Sequence, residues 1–260
     1  MKKHLLACCL LPWFLQAAHL EPWTGRDLEI IAEADLALAH FKAGHLKNAL
    51  FFDLSARTSY TQFAGEIEAN FAHSKKQPGL EGDALGLTGR YQLKNDVIGD
   101  PLSLWLGATV RKVFTNGLHD PVQFYHGGIE LELHAAAGKE WVCEQFWTRR
   151  LWGYGLFGIA DLGSPWIKLG GAWEMNKWDL SKWVFDLEGG LGFGGRRLYV
   201  RHFKGYGPID YGYVQLGVKY AKTWECGSTT EVGVKYRPAA KNCPRQWVEL
   251  RFAFIYPFGI

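Results

Sequence analysis

The stretch Trp247–Ile260, WVELRFAFIYPFGI, alternates with a period of two. Val248, Leu250, Phe252, Phe254, Tyr256 and Phe258 fall on every second position, and Glu249 and Arg251 fill two of the gaps. A helix turns every 3.6 residues and would scatter that apolar row around its circumference, whereas a strand sends it to one face. The run therefore reads as a strand with one apolar face and one charged face.

The pattern recurs upstream. In LEIIAEADLALAH (28–40), Leu28, Ile30, Ala32, Ala34, Leu36 and Leu38 oppose Glu29, Glu33 and Asp35. In FAGEIEANF (63–71), Phe63, Ile67 and Phe71 oppose Glu66, Glu68 and Asn70. LGLTGRYQLK (85–94) sets Leu85, Leu87, Tyr91 and Leu93 against Thr88, Arg90, Gln92 and Lys94. YHGGIELELHA (125–135) sets Tyr125, Ile129, Leu131 and Leu133 against His126, Glu130, Glu132 and His134. Turn-forming clusters separate the runs: KAGH (42–45), KKQPGLEG (75–82), NDVIGDP (95–101), TNGLHDP (115–121), GSP (163–165), NKWDLSK (176–182), GYGP (205–208) and PAAKNCP (238–244). Together they predict about twelve strands, with ten or fourteen left open, near 27–40, 48–58, 61–72, 83–94, 102–114, 123–135, 147–161, 166–176, 183–194, 210–222, 229–237 and 246–258. Residues 195–209 read as a long loop. No Pro/Ser-rich linker divides the chain, which is taken as one domain.

The N-terminus, MKKHLLACCLLPWFLQAA, places two lysines before a short apolar core and two alanines, the pattern of a secretory signal over residues 1–18. Residues 19–260 are then the exported domain. LLAC, ending at Cys8, looks like a lipoprotein box but comes too early for a full apolar core. Beyond residue 18 no apolar run approaches the roughly 18–20 residues that a helical span needs. Net charge is +3, which gives no reason to invoke nucleic acid.

Two classes remain, a secreted β-sandwich and a membrane barrel. The predicted strands run well past the five or six residues common in soluble sheets. Tilted transmembrane strands need about 9–11. About twelve strands, each with a row of Leu, Phe, Trp and Tyr, carry more apolar volume than a single barrel interior can hold. That row therefore belongs outside against lipid, and the charged row belongs in a lumen. Closure also removes the unpaired backbone edges that hydrocarbon does not tolerate. Trp183 and Phe193 bracket one apolar row, and Tyr125, Trp173, Tyr220 and Tyr236 lie near strand ends, where rings sit at the wet interface.

The signal, the even strand count, the dyad pattern and the aromatic last strand together resemble a bacterial single-chain outer-membrane β-barrel protein. The resemblance implies an all-β, transmembrane, antiparallel up-and-down barrel in the outer membrane, with both termini in the periplasm. It also implies that the assembly machinery reads the last strand, with Phe254, Tyr256 and Phe258 as the matching aromatics; the overhang Gly259-Ile260 departs from the usual final aromatic. External loops are then expected at 41–47, 73–82, 115–122, 162–165, 195–209 and 238–245.

The inward rows form a charge map. Acids are expected from Glu29, Glu33, Asp35, Glu66, Glu68, Glu130, Glu132, Asp186 and Glu188, and bases from Arg90, Lys94, Arg111, Lys168 and Lys219. Asp53 with Arg57, Glu231 with Lys235, and Glu249 with Arg251 make mixed strands. Such a lumen suits either a self-neutralising network or a narrow water-filled pore with a transverse field. Arg196, Arg197, Arg201, His202 and Lys204 place a basic run on the longest external loop, to meet anionic headgroups or to fold inward and narrow a pore.

Catalysis finds little support. His126, Glu130 and His134 lie four apart on one run, roughly 13 Å at each step, too far for one metal. Ser55 and Ser103 have no spacing to a His and an acid. Cys143 and Cys226 sit in similar contexts, KEWVCE and KTWECG, on expected periplasmic turns, so a disulfide between them depends on whether those turns meet. The expected function is a porin-like channel for small solutes or ions without a cofactor; a blocked structural barrel and an embedded lipid-modifying enzyme are the alternatives. Expected partners are outer-membrane lipid and the assembly machinery.

Overall fold

The structure is a computed structural model and describes residues 20–23, 27–44, 46–75, 79–143, 147–177 and 180–259. The expected signal segment lies outside these residues. Among them the chain forms β1 (Ile30–Ala43), β2 (Leu46–Tyr60), β3 (Phe63–Ser74), β4 (Glu81–Lys94), β5 (Ser103–Val113), a short helix α1 (Thr115–His119) and β6 (Ile129–Cys143). There follow β7 (Trp147–Ala160), β8 (Trp166–Lys177), β9 (Ser181–Phe193), β10 (Asp210–Thr223), β11 (Thr229–Lys241) and β12 (Arg245–Phe258). Each strand pairs antiparallel with its sequence neighbours, and β1 pairs with β12 from Ile30↔Phe258 to Lys42↔Arg245, closing the barrel.

Strand lengths run from 11 residues in β5 to 15 in β2 and β6, enough to cross a hydrocarbon layer at a tilt. Alternation decides which face is which. On β1, Leu38 is exposed while Glu33, Asp35, Ala37 and Ala39 are buried; on β12, Leu250 and Phe254 are exposed while Glu249, Arg251 and Ala253 are buried. Exposed Leu, Ile, Val and Phe side chains belt the whole circumference. Soluble monomers rarely expose contiguous apolar patches above a few hundred Å², and lipid is the solvent such a belt fits. Ring pairs mark one edge of the belt: Phe63–Tyr91 at 5.1 Å, Trp183–Tyr220 at 4.9 Å and Tyr256–Phe258 at 4.7 Å. Phe254, Tyr256 and Phe258 all face outward.

The two longest connections, 114–128 and 194–209, share one end of the barrel, and the ends of the β1–β12 seam at Ile30 and Phe258 share the other. In such barrels the longer loops are external, so the first end is called outer and the second inner. Thr61, at φ 53, turns β2 into β3 at the inner end, and Gly44, at φ 60, turns β1 into β2 at the outer end.

One expected strand is displaced. Residues 123–128 are not strand; β6 starts at Ile129 and continues to Cys143, through the stretch 136–143 expected to be turn. Asp120–Gly127 instead enter the barrel and are buried along their whole length. Tyr125, expected at the lipid interface, is therefore inside. The Gly127-Gly128 pair explains the shift: a Cβ on Gly127 would overlap Asp161 and Ala160 where the chain rejoins the wall. Residues 195–209 do form a loop, with only a turn at Val200–His202 and a bridge from Arg196 to Ile209.

Candidate functional site

The lumen has two unlike walls. The wall from β1 to β6 is closed by arginines. Register sets Glu68 on β3, Gly86 on β4 and Arg111 on β5 side by side, with Glu130 of β6 next in the row. Gly86 leaves the gap through which Arg111 reaches Glu68; a Cβ there would overlap the Glu68 side chain. Arg111 Nη2 and Nε donate to Glu68 Oε1 at 2.6 and 3.0 Å, and Nη1 donates to Glu130 and Glu132 at 3.2 and 3.4 Å. Across the seam Arg251 bonds Asp35 and lies 3.4 Å from Glu33, whose other oxygen is 3.8 Å from Arg57. Asn70 donates to Asp53 at 2.7 Å, and Thr88 and Thr109 bond at 2.7 Å. Each buried carboxylate named here has a cation or a donor beside it, which burial in low dielectric requires.

The wall from β7 to β11 is open. Inward positions there include Gly170, Gly190, Gly217 and Gly233, and a Cβ on Gly190 would overlap the Tyr213 ring lying against the wall. Glu188 accepts from Tyr154 at 2.6 Å and from Tyr213 at 2.7 Å, one tyrosine per oxygen. Lys168, Asp186, Lys235 and Glu249 line the same space, a cavity of about 170 Å³. Lys219 pairs with Glu231 at 3.1 Å. A second cavity, about 240 Å³, opens near the inner end between Glu29, Arg57, Glu66, Arg90 and Arg150.

Two elements bound the central cavity, and neither was legible as such in the sequence. On the outer side stand Phe124 of the inward loop and Tyr206 of the β9–β10 loop, stacked at 4.6 Å, with Tyr211 edge-on to both and Tyr213 tilted against Phe124. The Arg237 guanidinium lies 4.6–4.8 Å from the ring centres of Phe124, Tyr213 and Trp247 and donates to Gln215 at 3.0 Å. Val122 packs with Phe41, Phe51 and Trp247 beside it. Tyr206 OH donates to the Pro121 carbonyl at 2.6 Å, binding one loop to the other. On the inner side Leu20–Trp23 lie within the barrel. Arg90 donates to the Glu21 carbonyl at 2.6 Å, Trp105 to the Pro22 carbonyl at 3.0 Å, and Trp23 to Asp96 at 3.0 Å.

Asp96 sits on the turn between β4 and β5. Burial pushes its carboxyl up, but hydrogen bonds from Ser103, the Glu140 N–H and Trp23 outweigh that and hold it below the ordinary carboxylate value. His126, in the inward loop, stacks on Trp166 at 3.6 Å, contacts Glu130 at 3.2 Å and Tyr211 OH at 2.8 Å. Burial lowers its pKa despite the Glu130 carboxylate. Ser103 is engaged with Asp96 at 2.5 Å. His134 lies 3.5 Å from Thr109.

The expected lumen residues lie on the inward rows or line the two cavities, with one correction. Lys94 is exposed: a bulge between Gln92 and Lys94 sets it opposite Leu104 and turns it out of the inward row. The basic run of the long loop divides by residue type. Phe203 and Tyr206 are buried, while Arg196, Arg197, Arg201, His202 and Lys204 are exposed. Cys143 and Cys226 are free thiols, and the turns whose meeting would have allowed a link lie apart; Cys143 ends β6, and β7, β8 and β9 stand between it and the β10–β11 turn that holds Cys226.

No protein-family model and no curated protein matches the sequence. Solved structures do. An outer membrane channel from Pseudomonas putida F1 is 13% identical, with TM-score 0.60, covering 94% of this chain and 100% of its own. The KdgM porin is 11% identical, with TM-score 0.54, covering 88% and 99%. Omp33 of Acinetobacter baumannii is 8% identical, with TM-score 0.52, covering 90% and 100%. At these identities the likeness carries the architecture, not the contents of the lumen. Twelve antiparallel strands, a lipid-facing apolar belt and a charged interior thus give this chain the fold of a bacterial single-chain outer-membrane β-barrel.

Proposed function

We propose that the chain is an outer-membrane channel for small solutes or ions. The observation that carries the reading is the central cavity, which has Lys168, Asp186, Glu188 and Lys235 on one side and Asn70, Arg111 and Arg251 on the other. The similarity to a channel and a porin supports the reading. Purified protein in a planar bilayer then gives steady single-channel steps; a flat record across voltage and pH removes the channel reading.

A second reading is a blocked barrel with a structural or surface role. It is favoured by the aromatic stack around Phe124 and by Leu20–Trp23, which stand above and below the cavity. Trp23→Ala with Phe124→Ala separates the two. A blocked wild type gains conductance only in the double variant, whereas a channel conducts before it and more strongly after it. An enzyme is the weakest reading, since the inward His126 is spent on Glu130, Tyr211 and Trp166. The row Phe254, Tyr256 and Phe258 remains the proposed segment for the assembly machinery, and Tyr256→Ala with Phe258→Ala is expected to lower the amount of folded barrel in cells.

A further inference from the structure

The outer rim of the seam between β12, β1 and β2 carries a charge arrangement that pore function does not need. Outward residues on this seam are apolar where Leu38 pairs with Leu50 and Leu250; at the next level Val248 is still apolar, while His40 bonds Asn48 at 2.7 Å. The next outward position, Lys42, stands directly opposite Arg245 across the β1–β12 ladder, and both are exposed. Like charges at opposed ladder positions destabilise a sheet. Neither side chain forms an ion pair among the described residues; the nearby Lys241 has its own partner in Asp210, at 2.6 Å.

Position along the strand indicates what relieves the repulsion. Lys42 lies two residues beyond His40, or about 7 Å along the strand at roughly 3.3 Å per residue. With strands tilted roughly 40° that is about 5 Å above Val248, the last apolar residue of the seam, within the headgroup layer, which is on the order of 5–7 Å deep. The β9–β10 loop adds to the patch. Val200 packs against the cluster under the seam and lies close beside Gly44 in the β1–β2 turn. The exposed Arg201 and His202 follow it in the same turn.

We propose that this rim binds the phosphate of an outer-leaflet lipid headgroup, with Lys42 and Arg245 as the two donors and Arg201 closing over it. The anion removes the repulsion across the seam and anchors the loop that lies over the barrel mouth. The inference rests on the outer-membrane placement and the inner-to-outer orientation, but not on conduction.

The test uses purified, delipidated protein in neutral detergent, with bisphosphorylated lipid A as the probe and native mass spectrometry as the readout. Each cation near a membrane surface is worth about a fivefold change in binding. Lys42→Gln with Arg245→Gln is therefore expected to weaken lipid A binding about twenty-five-fold, while Lys94→Gln with Lys222→Gln, at the inner end, leaves it unchanged. Equal binding by the first pair overturns the proposal, as does an equal loss in the second. Competition by inorganic phosphate at the concentration of lipid A also overturns it, since the site is then one for free anions. An unchanged heat-dependent gel shift confirms that each variant folds. A wild type that binds lipid A yet shows no current refutes the channel and leaves this site standing.

Discussion

The two walls of the lumen are built from the same kinds of residue and behave as different materials. On β1–β6, charge is locked: Arg111 serves three glutamates and Arg251 serves Glu33 and Asp35. On β7–β11 the ion pairs gather toward the inner end, Arg150 and Lys182 with Glu174 and Lys219 with Glu231, while Lys168, Asp186 and Lys235 face the central cavity. Composition does not separate the walls. What separates them is the reach of the cation: Arg111 bridges to three glutamates, one of them across Gly86, whereas among the described residues no ion pair holds Lys168 or Lys235, and both line the cavity.

The comparison is broken most forcefully at Arg111. Replacing it by Met leaves Glu68, Glu130 and Glu132 buried without their cation, and losing one partner of a buried pair costs on the order of 3–5 kcal/mol. Lys235→Met on the open wall is expected to cost about 1 kcal/mol or less, in the range of pairs that water still reaches. The gel-shift temperature of the folded barrel, measured in one detergent, reads both. Equal destabilisation by the two variants means that the walls do not differ as described.

Selectivity should show the reverse order. Lys168→Glu with Lys235→Glu places two carboxylates in the cavity beside Glu188, and the preference between chloride and potassium is expected to move toward cations, on the order of tenfold. The reversal potential in a salt gradient measures this. The conservative exchange of Arg111 for Lys, which keeps the charge on the closed wall, should shift it far less. An unmoved reversal potential in the double glutamate variant would show that the ions pass elsewhere.

The fold was legible in the sequence because closure demands a strict repeat. Each lipid-facing row had to be apolar and each lumen row had to carry the polar groups, so period two appeared in nearly every strand and, β6 apart, the ends came within a few residues. The lumen contents were legible as an inventory but not as a site. A charged residue on an inward row reads the same whether, like Arg111, it reaches Glu68 two strands away or, like Lys235, it stands in the cavity lining beside Gly217. The loop Asp120–Gly127 was hidden for another reason. DPVQFYHG alternates no worse than a strand, and only the Gly127-Gly128 break, where a side chain cannot pass Asp161, shows that the chain turns inward before β6 begins.

That loop supplies a smaller effect, dependent on pH. The His126 imidazole is held below its ordinary value of about 6.5 chiefly by burial between Trp166 and Tyr211. With the folded value below the unfolded one, the displaced loop takes up a proton that the seated loop does not. Seating is therefore at full strength above about pH 6.5 and weakens as pH falls toward the folded value, by at most about 1.4 kcal/mol per unit crossed. Current noise from loop movement is expected to rise between pH 7 and pH 5 and to lose its pH dependence in His126→Gln. Noise that grows with rising pH instead would mean that the seated ring is the charged form.

The smallest effect tests a single bulge. Period two puts Lys94 in line with Arg90 and Gln92, on the lumen side, yet the extra residue between Gln92 and Lys94 carries it to the level of Leu104 and out into solvent. A cation there has no cavity to tune and no buried carboxylate to satisfy. Lys94→Gln is then expected to change stability by less than about 0.5 kcal/mol and to leave the reversal potential where it was. Arg90, two positions before the bulge, still points inward, with its guanidinium 5.0 Å from the Trp105 ring centre and bonded to the Glu21 carbonyl. Arg90→Gln loosens that hold on Leu20–Trp23 and should raise conductance. If Lys94→Gln did the same, the bulge would be absent in the membrane, and the closed wall would extend one residue further toward the inner rim.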